Sequence, residues 1–347
     1  HGGTNFGWTA GANFFSKYEP TITSYDYGAP IDETGSPNIT FHGLRKYFEE
    51  RATQAGQPAL PPIPEPIPRI REDVLIEFSE YKKVFDALPT PIDDVLPGSM
   101  EHYGQGYGWI VYRAVIDKSY TGNWCNIQHF RDFAHVFVDG VKIAELSRIK
   151  KQDAFKIPKY EKETITLDIL VEPFGRVNYG FGIQNDRKGI DGQVIMGQTR
   201  VLMNWQVFLL PFNEEYFSGL NFTQSIDLNT AANIEQNKSY SKGPRIQRAI
   251  FSLDEVGDAF LDMRGYRRGL VWINGHNLGR YWDIGPQKCL YVPGVWLNKG
   301  ENELLLLECL GAGKTRAIKK GITIANKKSP VFNKDFPPIV LRPKHVK

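Results

Sequence analysis

Carboxylates are the side chains of this sequence with the chemistry for bond hydrolysis, because such reactions commonly use one group as an acid and another as a base or nucleophile. Glu33, Glu49 and Glu50 lie in or beside the early strand-loop-helix segment, and the last two fall on the charged face of a predicted helix, where solvation is the expected role. Glu172 and Glu308 each end a predicted strand, at matching places of an internal repeat, which indicates a structural role common to both. We therefore predict no catalytic pair within this chain.

Metal-binding and redox patterns are also weak. The seven histidines show neither an H-E-x-x-H motif nor Cys/His ligand spacing, so we predict no metal site and no cofactor. Three cysteines, Cys125, Cys289 and Cys309, are too few for a disulfide scaffold. Cys289 and Cys309 fall in the same predicted domain, so the sequence permits either a bridge between them or two buried thiols.

Composition limits the functional classes. The 347 residues suffice for two or three domains, and 41% hydrophobic with 23% charged residues is typical of a globular protein. No run approaches the roughly 18 apolar residues of a membrane span, so we expect a soluble chain without one. The net charge of +3 is small, and the lysines beyond residue 314 are spread among other residues. We expect no nucleic-acid partner.

The elements that must position any site begin with residues 1–55. A glycine-rich strand, a loop and a helix predicted over 39–54, from apolar residues at helical spacing, follow each other there. This order is one unit of a (β/α)8 TIM barrel, which needs eight such units to close. Residues 56–68 form a proline-rich linker, and one strand within the stretch 71–85 is expected to join a later sheet, so we assign 56–96 to the connection.

An internal repeat with an offset of 135 or 136 residues organises the rest of the chain, and each copy carries an Asp-Gly or Asn-Gly pair typical of a two-residue hairpin. Short strands with few helices between them predict antiparallel β-sandwiches, the first over 97–212 and the second over 213–347. The matching segments are Arg113–Ile116 with Arg248–Phe251, Val136–Gly140 with Val271–Gly275, and Leu170–Glu172 with Leu306–Glu308.

The segment HGGTNFGWTAGAN, followed by TSYDYGAP, resembles the last barrel strand and the following loop of family 35 glycoside hydrolases, the β-galactosidases. Residues 167–180 and 269–282 resemble the same family in the same order, so the resemblance spans nearly the whole chain. It implies the C-terminal portion of such an enzyme: the end of a TIM barrel followed by two jelly-roll sandwiches, the second of galactose-binding-like type. We interpret the opening residues, which lack an initiator methionine or signal, as the continuation of a longer chain.

The reaction that the resemblance implies is hydrolysis of a terminal β-D-galactosyl bond with retention, which uses two carboxyl groups about 5 Å apart. In the family both are glutamates on earlier barrel strands, so this chain alone is expected to be inactive, with the β-galactoside bound only through the complete barrel. By the same resemblance, Tyr27 matches a tyrosine beside the galactose, and Tyr25 is a neighbouring candidate. Ordinary loop packing of Tyr27 is the alternative, and Gly28 stands where the family often has Asp.

A second class of function stays open, a stand-alone carbohydrate-binding or interaction module. Trp272, Trp282 and Trp296 would stack on sugar rings in such a module, whereas aromatic residues of sandwiches more commonly form the core. The sequence leaves homo-oligomerisation open.

Three N-x-S/T sequons, at Asn38, Asn221 and Asn237, favour a lysosomal or secreted parent when they are taken with the resemblance. Finally, we expect residues 1–30 to be a barrel strand without neighbours, with unpaired edges.

Overall fold

The computed structural model describes residues 2–25, 28–224, 243–309 and 321–325. Strands dominate this part of the chain, which confirms the mainly β prediction. No helix within the described ranges is long and apolar enough to cross a membrane. The N-terminal region and the connection contain β1 (Ala12–Phe14), β2 (Tyr18–Pro20), α1 (Ile39–Gln54), β3 (Val74–Glu77), β4 (Glu80–Lys83) and β5 (Ile92–Asp94).

Two groups of strands follow. The first group contains β6 (Trp109–Asp117), β7 (Trp124–Ile127), β8 (Phe130–Arg131), β9 (Phe133–Val138), β10 (Val141–Ser147), β11 (Ala154–Lys156), β12 (Thr164–Glu172), β13 (Val177–Gly180), β14 (Gly189–Ile190), β15 (Val194–Met196), β16 (Arg200–Val201) and β17 (Trp205–Leu210). The second group contains α2 (Glu214–Ser218), β18 (Thr223–Gln224), β19 (Arg245–Leu253), β20 (Ala259–Asp262), β21 (Arg268–Ile273), β22 (His276–Trp282), β23 (Cys289–Val292), β24 (Gly300–Glu308) and β25 (Gly321–Ala325). Single 3-10 turns cover Val84–Ala87, Lys118–Tyr120, Ile183–Asn185 and Gly294–Trp296.

The repeat found in the sequence is also present in the strand order. One six-stranded sheet has the order β10-β9-β12-β6-β17-β5, and the other has β22-β21-β24-β19-β4-β18. The first four strands of each sheet are the repeat-related ones. In both copies the two-residue turn has positive φ at its two positions, 45° and 75° at Asp139 and Gly140 and 47° and 82° at Asn274 and Gly275. These are the conformations that the Asp-Gly and Asn-Gly pairs predict.

Each six-stranded sheet buries both of its faces because successive side chains of a strand point to opposite sides. On β24, Leu304 and Leu306 enter the core of the second sandwich, opposite the four-stranded sheet β23-β20-β25-β3. Leu305 and Leu307 of the same strand enter a different core, which also contains Val111 of the first sandwich. The two six-stranded sheets therefore pack face to face and share this third core, which we call the shared core.

The stretch 71–85 forms two strands rather than the single strand expected. β3 pairs with β25 at the small sheet of the second sandwich, and β4 pairs with β19 in its large sheet. β5 instead pairs with β17 of the first sandwich. The connecting region thus contributes strands to both sandwiches.

The N-terminal segment is not a strand without neighbours, so that expectation is wrong. β1 pairs in parallel with β13 of the first sandwich and antiparallel with β2. Ala12 is fully buried and Tyr18 is 3% exposed. Trp8 packs against the shared core. The segment satisfies its backbone groups by adding to the first sandwich, a partner about 165 residues away in the sequence.

Helix α1 has the predicted bounds but a different environment from that of the strands. It begins after Asn38, whose side-chain oxygen accepts hydrogen bonds from the amides of Thr40 and Phe41. None of its residues is buried, and Leu44 and Phe48 on its apolar face are 46% and 54% exposed. The helix therefore has apolar residues at the spacing of a packed helix, but its apolar face is exposed.

Candidate functional site

A cleft of about 280 Å³ lies between the N-terminal segment and the second sandwich. Residues 17–23 form one wall, and residues 280–282, 284, 285 and 287–290 line the other. The second wall belongs to β22, β23 and the loop between them, and Ile149 from the first sandwich closes one side. The cleft is thus built from three parts of the chain that are far apart in sequence.

Hydrogen bonds fix the N-terminal wall of the cleft to the second sandwich. The Thr23 hydroxyl donates to the carbonyl of Arg280 at 2.6 Å, and the amide of Ser24 donates to Oε1 of Gln287 at 2.8 Å. Gly279 permits this close approach, because a Cβ there would lie 2.5 Å from Cγ2 of Thr23 and its φ is 103°. The position of residues 23 and 24 is therefore set by the second sandwich.

Of the two tyrosines predicted to contact substrate, only Tyr25 lies within the described residues; Asp26 and Tyr27 lie outside them. Tyr25 is 43% exposed, and its amide donates to the carbonyl of Gly3 at 3.0 Å. Its ring lies against Gly3, where a Cβ would be 2.2 Å from the Tyr25 hydroxyl. The glycine-rich segment thus makes room for this ring beside the cleft wall.

A buried charged cluster holds the same segment to the first sandwich. Nζ of Lys188 lies 2.6 Å from Asp132 and 3.0 Å from Asp186, and Arg148 contacts the same two carboxylates at 2.7 and 2.6 Å. The Tyr18 hydroxyl contacts Asp132 at 3.3 Å and donates to the carbonyl of Gly175 at 2.5 Å. We call these five side chains (Tyr18, Asp132, Arg148, Asp186 and Lys188) the buried charged cluster.

The electrostatics of this cluster favour its charged form. Burial opposes ionisation of Asp186, but Lys188 and the amide of Val177 outweigh burial and lower the pKa of that carboxyl. Burial and the neighbouring Asp132 raise the pKa of Tyr18 well above its ordinary value, so the phenol stays protonated and remains a donor. Asp186 therefore stays ionised and Tyr18 neutral at neutral pH, which preserves their contacts with the first sandwich.

The candidate carboxylates have structural contacts. Glu33 accepts a hydrogen bond from Thr4 at 2.8 Å, and Glu49 pairs with Arg45 on α1 at 2.7 Å. Glu172 is fully buried against Arg268, 2.7 Å away, and Glu308 accepts from the Tyr281 hydroxyl at 2.9 Å. Glu50 is exposed on α1.

In the described ranges no group of three or more metal-ligating side chains comes together. Cys125, Cys289 and Cys309 are buried thiols, so the Cys289–Cys309 bridge that the sequence left open is not formed. Burial raises the pKa of the Cys125 thiol to about 12.

The three tryptophans divide between packing and the cleft. Trp272 is 4% exposed and belongs to the shared core, and Trp296 stacks on His276 at 4.7 Å between ring centroids. Trp282 lines the cleft. Sequence reasoning did not single out Arg280 or Gln287 as lining residues; the one available signal was the position of Arg280 beside Trp282 in a segment with family resemblance.

Two of the three sequons lie within the described residues. Asn38 uses its side-chain oxygen as the cap of α1, and its nitrogen donates to the carbonyl of Ala29 at 2.7 Å. Asn221 is exposed, and Asn237 lies outside the described residues. Glycosylation at these positions stays a prediction.

Family models match three parts of the chain in order. "Glycosyl hydrolases family 35" matches residues 1–51, "Beta-galactosidase, first all-beta domain" matches 97–211, and "Beta-galactosidase, galactose-binding domain" matches 244–302. Together they account for the N-terminal segment and for parts of both sandwiches.

Proteins similar to this chain are named as β-galactosidases or β-galactosidase-like proteins. "Beta-galactosidase-1-like protein 2" of Homo sapiens is 35% identical over 323 residues, covering 90% of this chain and 47% of that protein. "Beta-galactosidase" of Xanthomonas manihotis is 36% identical over 299 residues, covering 84% of this chain and 46% of that protein. The chain thus spans about half the length of these curated relatives. A solved structure, "Pleurotus Ostreatus Lectin (POL), apo form", matches with a TM-score of 0.18 at 11% identity over 74% of this chain and 78% of that chain, too low to support an argument.

Proposed function

This chain belongs to the glycosyl hydrolases family 35, and on that premise we propose that it is the C-terminal portion of a retaining β-galactosidase. Its substrate is a terminal β-D-galactoside, bound through the complete barrel. The observation that carries the proposal is the attachment of the family-matched segment to both sandwiches, through the buried charged cluster and through Gln287. The sandwiches act as a scaffold for the segment that ends at Tyr25, and Tyr27 stays the predicted substrate contact.

The chemistry divides between the two portions of such an enzyme. Retaining hydrolysis needs an acid and a nucleophile about 5 Å apart, and the glutamates of this chain that we considered have structural partners or lie on an exposed helix. We propose that residues 1–347 alone do not cleave galactosides. The contribution of this chain is to orient the tyrosines that are predicted to contact the substrate, Tyr25 and Tyr27. We also propose a lysosomal or secreted parent protein, which the sequons at Asn38, Asn221 and Asn237 support.

A chimera tests this function directly. The chain would replace the matching portion of the Xanthomonas manihotis β-galactosidase, and turnover of a chromogenic β-galactoside would be measured for the chimera and for the chain alone. We expect an active chimera, an inactive chain, and at least a tenfold loss of kcat/KM in the chimera on Tyr27→Phe. Turnover by the chain alone, abolished by a glutamate-to-alanine substitution within it, would contradict the proposal.

A binding module is the second candidate, because Trp282 lines a cleft together with the polar side chains of Arg280 and Gln287. Calorimetric titration of the chain with galactose separates this candidate from a scaffold, because only a binding module should bind the sugar. Binding that disappears on Trp282→Ala, together with an inactive chimera, would favour the module.

A further inference from the structure

We propose that the cleft binds a negatively charged sugar, a glycan unit that carries a carboxylate or a sulfate ester. The inference deepens the proposed function by naming a substrate class, and it rests on that function for the sugar. The anionic part of the proposal comes from the charges of the cleft walls.

Positive charge predominates in the cleft and in the space that adjoins it. The adjoining space, of about 400 Å³, shares five residues with the cleft and adds Arg264, Arg267 and Asp283 to its lining. Lys17 and Arg264 already pair with Glu19 and Asp262. Arg267, Arg280 and Lys288 remain, with Asp283 as the one further carboxylate among the residues that line the two spaces. The walls thus carry an excess of unneutralised positive charge.

The contacts of Arg280 and Lys288 show why their charges are available. Arg280 donates through Nη2 to the carbonyl of Pro173 at 2.9 Å, and Lys288 donates to the carbonyl of Asp283 at 2.7 Å. Both partners are neutral backbone groups. In the described part of the chain, neither cation forms a salt bridge with a carboxylate. Each therefore retains its full charge beside the cleft.

Arg280 also has an unused donor. Its Nε is buried without a hydrogen-bond acceptor in the described residues, while its guanidinium lies over the ring of Phe174 at 5.2 Å. Buried donors are almost always paired in folded proteins. A guanidinium is the side chain best suited to the two oxygens of a carboxylate or sulfate, and Arg280 lines the cleft.

The remaining lining suits a sugar ring. Trp282 and Ile284 contribute apolar surface, and Gln287 contributes an amide. The volume of the cleft, about 280 Å³, lies near the lower end of small-molecule sites, which start at roughly 300 Å³, so one sugar unit is the appropriate size.

The cleft adjoins the chain segment that leads to the predicted galactoside contact. Gln287 lines the cleft and accepts the hydrogen bond from Ser24, the residue directly before Tyr25. A glycan chain with its terminal galactose near Tyr25 would thus place a neighbouring unit in the cleft. The inferred substrate class is a galactoside attached to an acidic sugar.

Calorimetric titration of the 347-residue chain at low salt tests the inference. The probes are galacturonic acid, galactose 6-sulfate, galactose and inorganic sulfate. We expect at least one of the two acidic sugars to bind about tenfold or more tightly than galactose, since charge-assisted hydrogen bonds are worth that factor. The two acidic probes distinguish a carboxylate from a sulfate ester. The proposal would be overturned if galactose bound as tightly as both acidic sugars. It would also be overturned if inorganic sulfate bound as tightly as both acidic sugars.

Matched variants place the binding in the cleft. Arg280→Gln and Lys288→Gln should each weaken the acidic sugar about tenfold and change galactose binding less than twofold. Lys118→Gln removes the same charge from a residue of the first sandwich that pairs with Glu163, so it should leave the affinity within twofold. If Arg280→Gln fails to fold by circular dichroism, Lys288→Gln carries the test. Unchanged affinity in the folded variants would refute the site.

The experiment separates this inference from the proposed function. An active chimera with no preference of the chain for acidic sugars refutes the inference alone. A preference for acidic sugars that depends on Lys288, with an inactive chimera, refutes the galactosidase role and leaves the binding site.

Discussion

The two sandwiches are copies of one unit, and their sheets have the same strand order, but the faces that meet in the shared core differ at matching positions. The first copy has Phe133 where the second has Arg268, and His135 where the second has Leu270. Arg268 crosses to Glu172 of the first copy, and its guanidinium lies 4.2 Å from the centre of the Phe133 ring. A few residue differences at matching positions therefore make the two faces complementary.

The comparison also shows that each copy has a different task. The face of the first copy, through the buried charged cluster, holds the N-terminal hairpin of β1 and β2. The second copy, through Gln287 and Gly279, holds the chain just beyond this hairpin and forms one wall of the cleft. Repeated topology therefore fixes the framework, while the loops and a few buried polar residues determine what each copy binds.

Among the charged contacts, the largest expected effect comes from breaking the ion pair between the copies. Arg268→Met leaves Glu172 buried without its partner and should lower the free energy of unfolding by about 3–5 kcal/mol. Urea denaturation measures this change. Arg248→Met is the matched control, because Arg248 pairs with Glu303 at a partly exposed site and should cost less than about 1 kcal/mol. Similar losses for both variants would mean that the shared core does not depend on the Arg268 pair.

The second prediction concerns the anchor on the first copy. The pKa of Asp186 is lowered in the folded chain, so its stabilisation is complete above the unfolded value of about 3.8 and is lost as the pH falls through the folded value. Asp186→Asn should therefore cost about 2–3 kcal/mol at pH 7 and clearly less near pH 3. Thermal unfolding at a series of pH values checks this.

A difference that does not shrink in acid would show that the charge on Asp186 is not the source of its contribution. Glu163→Gln, which removes an exposed partner of Lys118, provides the control and should have little effect at either pH.

The third prediction concerns His135, which is replaced by the leucine found at the matching position of the second copy. His135 is fully buried, neither ring nitrogen has a hydrogen-bond partner in the described residues, and burial followed by the charge of Arg268 lowers its pKa. A lowered histidine pKa means that stability falls as the pH drops below the unfolded value of about 6.5. His135→Leu, the residue of the second copy, should stabilise the chain by about 1 kcal/mol at pH 7.5 and by up to about 2 kcal/mol more at pH 5.

Chemical denaturation at the two pH values measures this difference. The reverse exchange, Leu270→His, is the matched variant and should destabilise, more strongly at pH 5. A stabilisation by His135→Leu that is independent of pH would contradict the argument from the ring's protonation.

The smallest effect is expected outside both copies. Leu44→Lys and Phe48→Lys on α1 should each change the free energy of unfolding by less than about 0.5 kcal/mol, because both side chains are about half exposed. Leu305→Lys in the shared core should prevent folding at ordinary temperature by comparison. A large loss from Phe48→Lys would mean that α1 contributes a packed face in solution.

Local patterns in the sequence predicted local structure well. The apolar spacing of residues 39–54 gave the bounds of α1, and the Asp139-Gly140 and Asn274-Gly275 pairs gave the hairpins. The repeat predicted two sandwiches because order and spacing both recur. These features depend on residues that are close in the chain, where spacing is informative.

Long-range contacts were not predictable in the same way. The pairing of β1 with β13 and the contact of Tyr18 with Asp132 join residues more than 110 positions apart. No local pattern in one segment identifies the other as its partner. The sequence predicts one strand within 71–85, because nothing in it shows that the two parts of this stretch join different sheets. The cleft was missed for the same reason, since Arg280 and Gln287 acquire significance only beside residues 17–24.

The shared core has a consequence for cooperativity. Because leucines such as Leu305 and Leu307 are buried only when the two large sheets meet, neither sheet can open without exposing the other. A scanning calorimeter should therefore record one melting transition for both sandwiches, and cleavage of the polypeptide between them should release no independently folded half.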